Sequence, residues 1–232
     1  MDSPRSALVT GASTGIGLAT ARHLAGLGYG LTLTGRTPST LDPAVAELTA
    51  AGAAVVGVVA DASEWADNQH AVAAHVERHG GLDVVVANAG FTAAGDLADG
   101  DPDQWRAMVL TNVLGPALLV KAALPHLTAP GGQVVLIGSV AGRIIRPGSL
   151  YGATKHAVSA LGANLRAQVT AAGIRVSVVE PGIADTPFWG ESGAPGFALE
   201  ASAVAEAIGY ILEQPAGVDV NELMVRPVGQ PI

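Results

Sequence analysis

Short runs dominated by Val, Leu and Ile recur along the chain at Ala7–Thr10, Gly30–Thr34, Ala54–Val59, Asp83–Ala87, Gln133–Ser139 and Arg175–Glu180, with a weaker run at Glu222–Val225. None shows the apolar/polar alternation of a strand with one wet face; near-continuous apolarity marks parallel strands covered on both sides. Between them lie stretches of helical period at Gly15–Leu27, Thr40–Ala51, Glu64–His79, Pro102–Leu127, Leu150–Ala172 and Ala201–Gln214. This alternation predicts an α/β chain of the doubly wound Rossmann type. It should have about seven parallel strands, right-handed crossovers, helices on both faces and a ligand crevice at the carboxyl ends of the strands. The Gly- and Pro-bearing segment Gly182–Gly196 is followed by too little chain for another domain. Residues 1–232 are therefore expected to form a single domain with a lid loop near 183–198.

Composition narrows the function classes. A chain of 232 residues with 49% hydrophobic positions can bury a sizeable core, and a formal net charge of -8 opposes binding to nucleic-acid phosphates. The longest unbroken apolar stretch, Ala50–Ala60, is 11 residues, short of the roughly 18 that a membrane helix needs. Asp2 and Pro4 stand where a secretory signal carries its basic residues, and the absence of cysteine suits a reducing compartment. The expectation is a cytoplasmic protein without nucleic-acid or membrane partners.

The first strand runs into Thr10-Gly11-Ala12-Ser13-Thr14-Gly15-Ile16-Gly17 and then directly into a helix. Residues without Cβ let backbone approach a pyrophosphate, and the helix that follows presents free N–H groups and the positive end of its dipole. The spacing is GxxxGxG, which departs from the commoner GxGxxG. After the second strand comes Arg36 with no carboxylate beside it in Thr34-Gly35-Arg36-Thr37, the pattern that suits a 2′-phosphate and so NADP(H) over NAD(H). Asp61, after the third strand, either caps a helix or accepts from an adenine amino group.

Tyr151 and Lys155 are four apart at the start of a long helix and so share a face. An ammonium beside a phenol favours the phenolate, which makes tyrosine usable as an acid/base near neutrality. Twelve residues before Tyr151, at the carboxyl end of the fifth strand, Ser139 offers a hydroxyl to a carbonyl oxygen in the crevice. Ser149 is a second hydroxyl close to Tyr151, and Arg143 and Arg146 are either partners for a substrate carboxylate or solvated loop residues. Phe188 and Trp189 in the lid are placed to close over an apolar substrate, or else anchor the loop. His75 and His79 lack the glutamate of a zinc-protease motif and a third ligand, so no metal site is expected and the pair reads as a solvated last helical turn.

Together with Asn88-Ala89-Gly90, Asn112 and Pro181-Gly182, these residues make the chain resemble the short-chain dehydrogenase/reductase family over nearly its whole length. The resemblance implies an NADP(H)-dependent oxidoreductase that interconverts a carbonyl and a secondary alcohol. It implies Tyr151 as general acid/base, Lys155 lowering its pKa and holding the nicotinamide ribose, Ser139 orienting the substrate oxygen, and Asn112 holding a water that links the lysine to solvent. Asn88, Ala89 and Gly90 would border the adenosine ribose. Pro181, Gly182 and Ile183 would set backbone against the nicotinamide, and Thr186 would reach its carboxamide. Association as a dimer or tetramer through helices near Gln104–Leu127 and Leu150–Ala172 is implied in the same way. Departures are Ala87 in place of the first Asn of Asn-Asn-Ala-Gly, a serine-to-tyrosine spacing one shorter than the commonest, and no basic residue at Ser13-Thr14. An epimerase or dehydratase using the same Tyr and Lys, and a nucleotide-sensing protein, are the alternatives.

Overall fold

The apolar runs become strands whose alternate residues feed two separate cores. The computed structural model describes residues 4–230, so Asp2 lies outside the described residues. Among the described residues nine strands form: β1 (Ser6–Val9), β2 (Gly30–Gly35), β3 (Val55–Val59), β4 (Val84–Ala87), β5 (Gln133–Ile137), β6 (Arg175–Pro181), β7 (Ala184–Asp185), β8 (Leu199–Glu200) and β9 (Glu222–Val225). Seven of them make one parallel sheet in the order β3-β2-β1-β4-β5-β6-β9. Chain order reverses between β1 and β4, and an open α/β sheet opens its ligand crevice at that switch point. The outer strands β3 and β9 are the less buried ones.

The helices are α1 (Gly15–Gly26), α2 (Pro38–Ala50), α3 (Trp65–His79), α4 (Pro102–Val109), α5 (Gly115–Ala123), α6 (Leu150–Val169) and α7 (Ala201–Leu212). On one face Leu24 of α1, Leu41 and Leu48 of α2 and Val204 and Ile208 of α7 pack on Val9, Leu33, Val86 and Val135. On the other, Val72 of α3, Leu119 of α5 and Val158 and Leu165 of α6 pack on Leu8, Val85, Leu136 and Val178. Each central strand thus sends successive side chains to opposite cores, which is why none shows a polar stripe.

The expected long helix Pro102–Leu127 is divided. Its helical run carries a π-turn at Leu110–Leu114, with Gly115 N–H bonded to the Leu110 carbonyl, and regular helix ends at Ala123. The cause is Pro116, which has no N–H to give the Asn112 carbonyl four residues earlier. By length and composition the run Pro102–Ala123 is long and apolar enough to cross a bilayer, which a search for unbroken apolar stretches did not anticipate. Here it is a core element, with Leu119, Val120 and Ala123 against the sheet.

His75 and His79 are not the solvated pair that their sequence suggested, because α3 lies across β2 and turns both rings inward. His75 is buried, its ring nitrogens 2.9 Å from Thr32 Oγ1 and 3.1 Å from Ser6 Oγ, and His79 Nε2 lies 3.2 Å from the Leu31 carbonyl. Burial, and then the nearby His79, push the His75 pKa down to about 4 from an ordinary 6.5. Between those values the unfolded chain binds a proton that the folded chain refuses, so stability falls as pH drops through this window, by up to about 3 kcal/mol. Urea unfolding at pH 7 and pH 4.5 is expected to show this fall in the wild type and much less of it in His75→Leu.

Candidate active site

At the carboxyl ends of β1, β4 and β5 opens a cleft of about 1020 Å³. Arg36 and Asp61 wall one end, the loop after β1 the middle, and Ser139, Tyr151 and Lys155 the other end. Of the site residues expected from the sequence, Gly17, Asn112, Arg143 and Ser149 stand outside its wall and the others line it.

The loop after β1 depends on its glycines. Gly11 and Gly15 have φ of +60° and +55°, in the left-handed region that side chains resist. Gly17 lies behind the loop instead of in the cleft wall, and a Cβ there would overlap the Gly11 carbonyl and the Asn88 amide. Asn88 ties the loop to β4, its Nδ2 donating to the carbonyls of Thr10 (2.9 Å) and Gly11 (3.0 Å). Thr14 caps α1 by position but its side chain makes no cap bond, so the first-turn amides remain for an anion. Backbone held open by missing Cβ atoms, over a helix N-terminus, fits a pyrophosphate, and the cleft is large enough for a dinucleotide.

Arg36 is largely exposed, with its Nη1 4.0 Å from Asp61 Oδ2. Such an exposed pair is weak and leaves the guanidinium available to another anion. The two readings of Asp61 now separate: Glu64, not Asp61, holds the cap position of α3, while Asp61 Oδ1 accepts from Ser63 N–H (2.9 Å) and Ser63 Oγ–H (2.7 Å) and its second oxygen faces Arg36.

At the far end β5 stops at Ile137, and Ser139 starts a short turn with its Oγ accepting from Ala141 N–H at 3.1 Å. Tyr151 lines the same end of the cleft as Ser139. Ser149, the competing hydroxyl, is committed elsewhere: it caps α6 by accepting from Gly152 N–H at 3.0 Å. Burial raises the Tyr151 pKa above its usual 10, opposed by the nearby Ser139 hydroxyl and the charge of Arg146. The expected lowering by Lys155 is not what this geometry produces. Lys155 is fully enclosed, its Nζ donates to the Ile137 carbonyl at 2.8 Å, and desolvation pushes its own pKa down to about 8. Nζ lies 5.8 Å from the Tyr151 ring centre, but above pH 10, where the phenol titrates, Lys155 has already lost its proton and offers the phenolate no charge to lean on.

Asn112 sits in the π-turn behind Gly90. Its Oδ1 accepts from Phe91 N–H (3.0 Å), and its Nδ2 donates to the Phe91 carbonyl (2.9 Å) and to Thr154 Oγ1 (3.2 Å). The side chain therefore joins the loop after β4 to α6. Four residues that the sequence did not single out shape this end. Thr154, inside the Tyr–Lys spacing, donates to the Tyr151 carbonyl at 2.7 Å and completes the Asn112 link. Buried Glu180 and exposed Glu222 both bind Arg143, at 2.5 and 2.6 Å, so that arginine is a structural clamp across β6 and β9 and not a substrate partner. Gln230 reaches back from the tail to accept from Ile183 N–H at 2.9 Å, while the Ile183 carbonyl accepts from Leu199 N–H. Both backbone groups of Ile183 that the resemblance set against a nicotinamide are thus already paired. No local pattern reveals a bond between positions 47 residues apart.

The lid leaves the core at β7 and returns at β8, and these two-residue strands pair in parallel, joining its ends. Thr186 lies over Gly15, 3.2 Å from where a side chain on that glycine would begin. Phe188 packs on Tyr151 (ring centres 5.7 Å) and Trp189 on Phe188 (5.8 Å), with Trp189 Nε1–H donating to the Ala184 carbonyl at 2.8 Å. Trp189 therefore anchors the loop, and Phe188 covers the tyrosine.

A profile of the short chain dehydrogenases matches residues 5–195. The chain belongs to the short-chain dehydrogenase/reductase family. An uncharacterized oxidoreductase of Staphylococcus saprophyticus is 35% identical over 227 residues, 96% of this chain and 97% of that protein. Among solved structures, an alcohol dehydrogenase from the archaeon Thermococcus sibiricus complexed with 5-hydroxy-NADP is similar with a TM-score of 0.91 and 33% identity, covering 98% of each chain. A short-chain dehydrogenase/reductase from Burkholderia phymatum in complex with NAD has a TM-score of 0.87 at 26% identity, covering 96% of this chain and 89% of that one. The sheet order and flanking helices found here are the Rossmann-like arrangement of those relatives, and the protein is an oxidoreductase of this family.

Proposed function

We propose that the protein is an NADP(H)-dependent short-chain dehydrogenase/reductase that interconverts a carbonyl compound and a secondary alcohol, with Tyr151 as general acid/base. The observation that carries this reading is the convergence of Ser139, Tyr151 and buried Lys155 in the wall of a cleft whose middle is a pyrophosphate cradle. A nicotinamide cofactor bound there supplies or takes up the hydride. Ser139 and Tyr151 hold the substrate oxygen. In reduction the Tyr151 proton passes to that oxygen as the carbonyl carbon gains its hydride, and in oxidation both steps reverse. A phenol raised in pKa by burial is protonated at neutral pH, the form that reduction needs. Lys155, at the back of the cleft, would hold the cofactor ribose, and its ammonium is the proton reserve for Tyr151. Pro116 takes the usual amide partner from the Asn112 carbonyl, which supports that carbonyl as the water holder of the relay.

Gly11, Ser13, Thr14, Gly15 and Ile16 cradle the pyrophosphate, Gly17 supports that loop from behind, and Asn88, Ala89, Gly90 and Asp61 border the adenosine. Pro181, Gly182, Ile183 and Thr186 flank the nicotinamide. Arg36 takes the 2′-phosphate of NADP(H). Calorimetric titration is expected to give tighter binding of NADPH than of NADH, and Arg36→Ala to weaken NADPH by about 10- to 100-fold with little effect on NADH. Equal weakening of both would remove Arg36 from the 2′-phosphate. Exposed Val109, Leu110 and Leu114 on the α4–α5 run support a homodimer or homotetramer built through that face. The absence of cysteine is consistent with a cytoplasmic setting.

A further inference from the structure

Beside the main cleft is a second cavity of about 250 Å³. Three residues belong to the walls of both, namely Thr92, Arg146 and Tyr151. The junction of the two spaces is therefore a phenol, a hydroxyl and a guanidinium. The loop from Ser139 to Tyr151 carries two arginines with opposite fates. Arg143 is spent on Glu180 and Glu222, whereas Arg146 has no carboxylate within ion-pair distance among the described residues. Around it the cleft is apolar, with Ile144, Phe188 and Phe197 in the wall. The other charged groups in these walls are buried Lys155 and, at the opposite end of the cleft, Arg36 and Asp61, with Asp96 on the side-cavity wall. One Asp96 oxygen is held by the Ala98 amide at 2.7 Å.

A guanidinium without a carboxylate partner beside the reacting hydroxyl, in a chain of net charge -8, is a selective feature, because the rest of the surface discourages anions. We infer that Arg146 receives a carboxylate of the substrate, so that the substrates are oxo acids and the corresponding hydroxy acids. The inference rests on the carbonyl/alcohol reading above and names the substrate class at that same site. The carbonyl oxygen lies between Ser139 and Tyr151, and the carboxylate lies on the cleft side of Arg146, away from Asp96. A guanidinium grips a carboxylate through paired N–H donors, whereas an ester in its place offers only a neutral acceptor.

The test uses the purified full-length enzyme with NADPH and three oxo acids of increasing spacing, pyruvate, acetoacetate and levulinate, each beside its methyl ester. In the wild type at least one acid is expected to exceed its ester in kcat/KM. Arg146→Gln is expected to lower kcat/KM for that acid by about 10- to 100-fold, mostly through KM, and to lower that for the ester far less. If Arg146 acts only through its field on Tyr151, acid and ester fall together and the pH profile of both shifts, which overturns the inference; so does a wild-type preference for every ester. Calorimetric titration of the NADP⁺ complex with each acid and ester reads the anion site without turnover. Acid binding that weakens in Arg146→Gln supports the inference, and binding indifferent to the substitution overturns it. A complete lack of reduction of all six compounds counts against the proposed activity instead, and the titration still decides on Arg146.

Discussion

Tyr151→Phe is expected to lower carbonyl reduction by about 100- to 10,000-fold, the usual range for loss of a positioned proton donor, while NADPH binds as before. The ring survives the change, so its packing on Phe188 at 5.7 Å and its place under the lid are kept. What disappears is the hydroxyl in the cleft wall that carries the transferable proton. Single-turnover reduction under saturating NADPH is the measurement, and turnover at the wild-type rate in this variant would falsify the assignment of Tyr151 as the acid. The direction of its pKa adds a pH signature. Because burial raises the phenol above 10, wild-type reduction should hold through neutral pH and fall only as the pH approaches the raised value. Oxidation, which needs the phenolate, should rise with pH over the same span.

Lys155→Met carries the second large effect, and it has a sign that activity alone does not reveal. The lysine is depressed to about 8 from 10.5 by burial. Below pH 8 both folded and unfolded chains carry the ammonium, and the folded chain bears its full desolvation cost. Between 8 and 10.5 the folded chain releases the proton while the unfolded chain keeps it, so stability rises with pH, by up to about 3 kcal/mol. Methionine has no such group. Measured by urea unfolding at pH 7.5 and pH 10, the wild type should therefore gain on Lys155→Met as the pH rises, even as the variant loses nearly all turnover. A gap that stays constant with pH would mean that Lys155 is solvated in the folded state.

The extent to which this site could be read from the chain follows from the range of the interactions involved. Strands buried on both faces announce themselves in consecutive residues, and the glycines after β1 do so because the φ values at Gly11 and Gly15 admit little else. Tyr151 and Lys155 were legible because helical spacing fixes their common face. The electrostatic consequence was not: whether Lys155 charges its neighbour depends on how completely the sheet and loops enclose it, a property of residues as far away as Ile137. The same distance hid the fate of Arg143, whose partners come from β6 and β9, and the reach of Gln230 to Ile183. His75 misled for a related reason: a histidine in a last helical turn looks polar until the orientation of that helix on the sheet is known. The division of the 102–123 helix was encoded locally, by Pro116, but helical periodicity masked it.

The pairing of β7 with β8 makes the lid a loop whose two ends are fixed to each other, separately from the main sheet. A loop closed at its base can change length without altering what lies beneath it, since doubling such a loop costs only about 0.6 kcal/mol in closure entropy. Gly190 and Gly193, with positive φ and open space around them, are where extra residues can enter. Descendants of this chain could thus acquire larger or smaller substrates by lengthening or trimming the segment between those glycines, leaving Ser139, Tyr151 and the cofactor cradle as they are. The clasp separates the part of the enzyme that must stay constant from the part that is free to diversify.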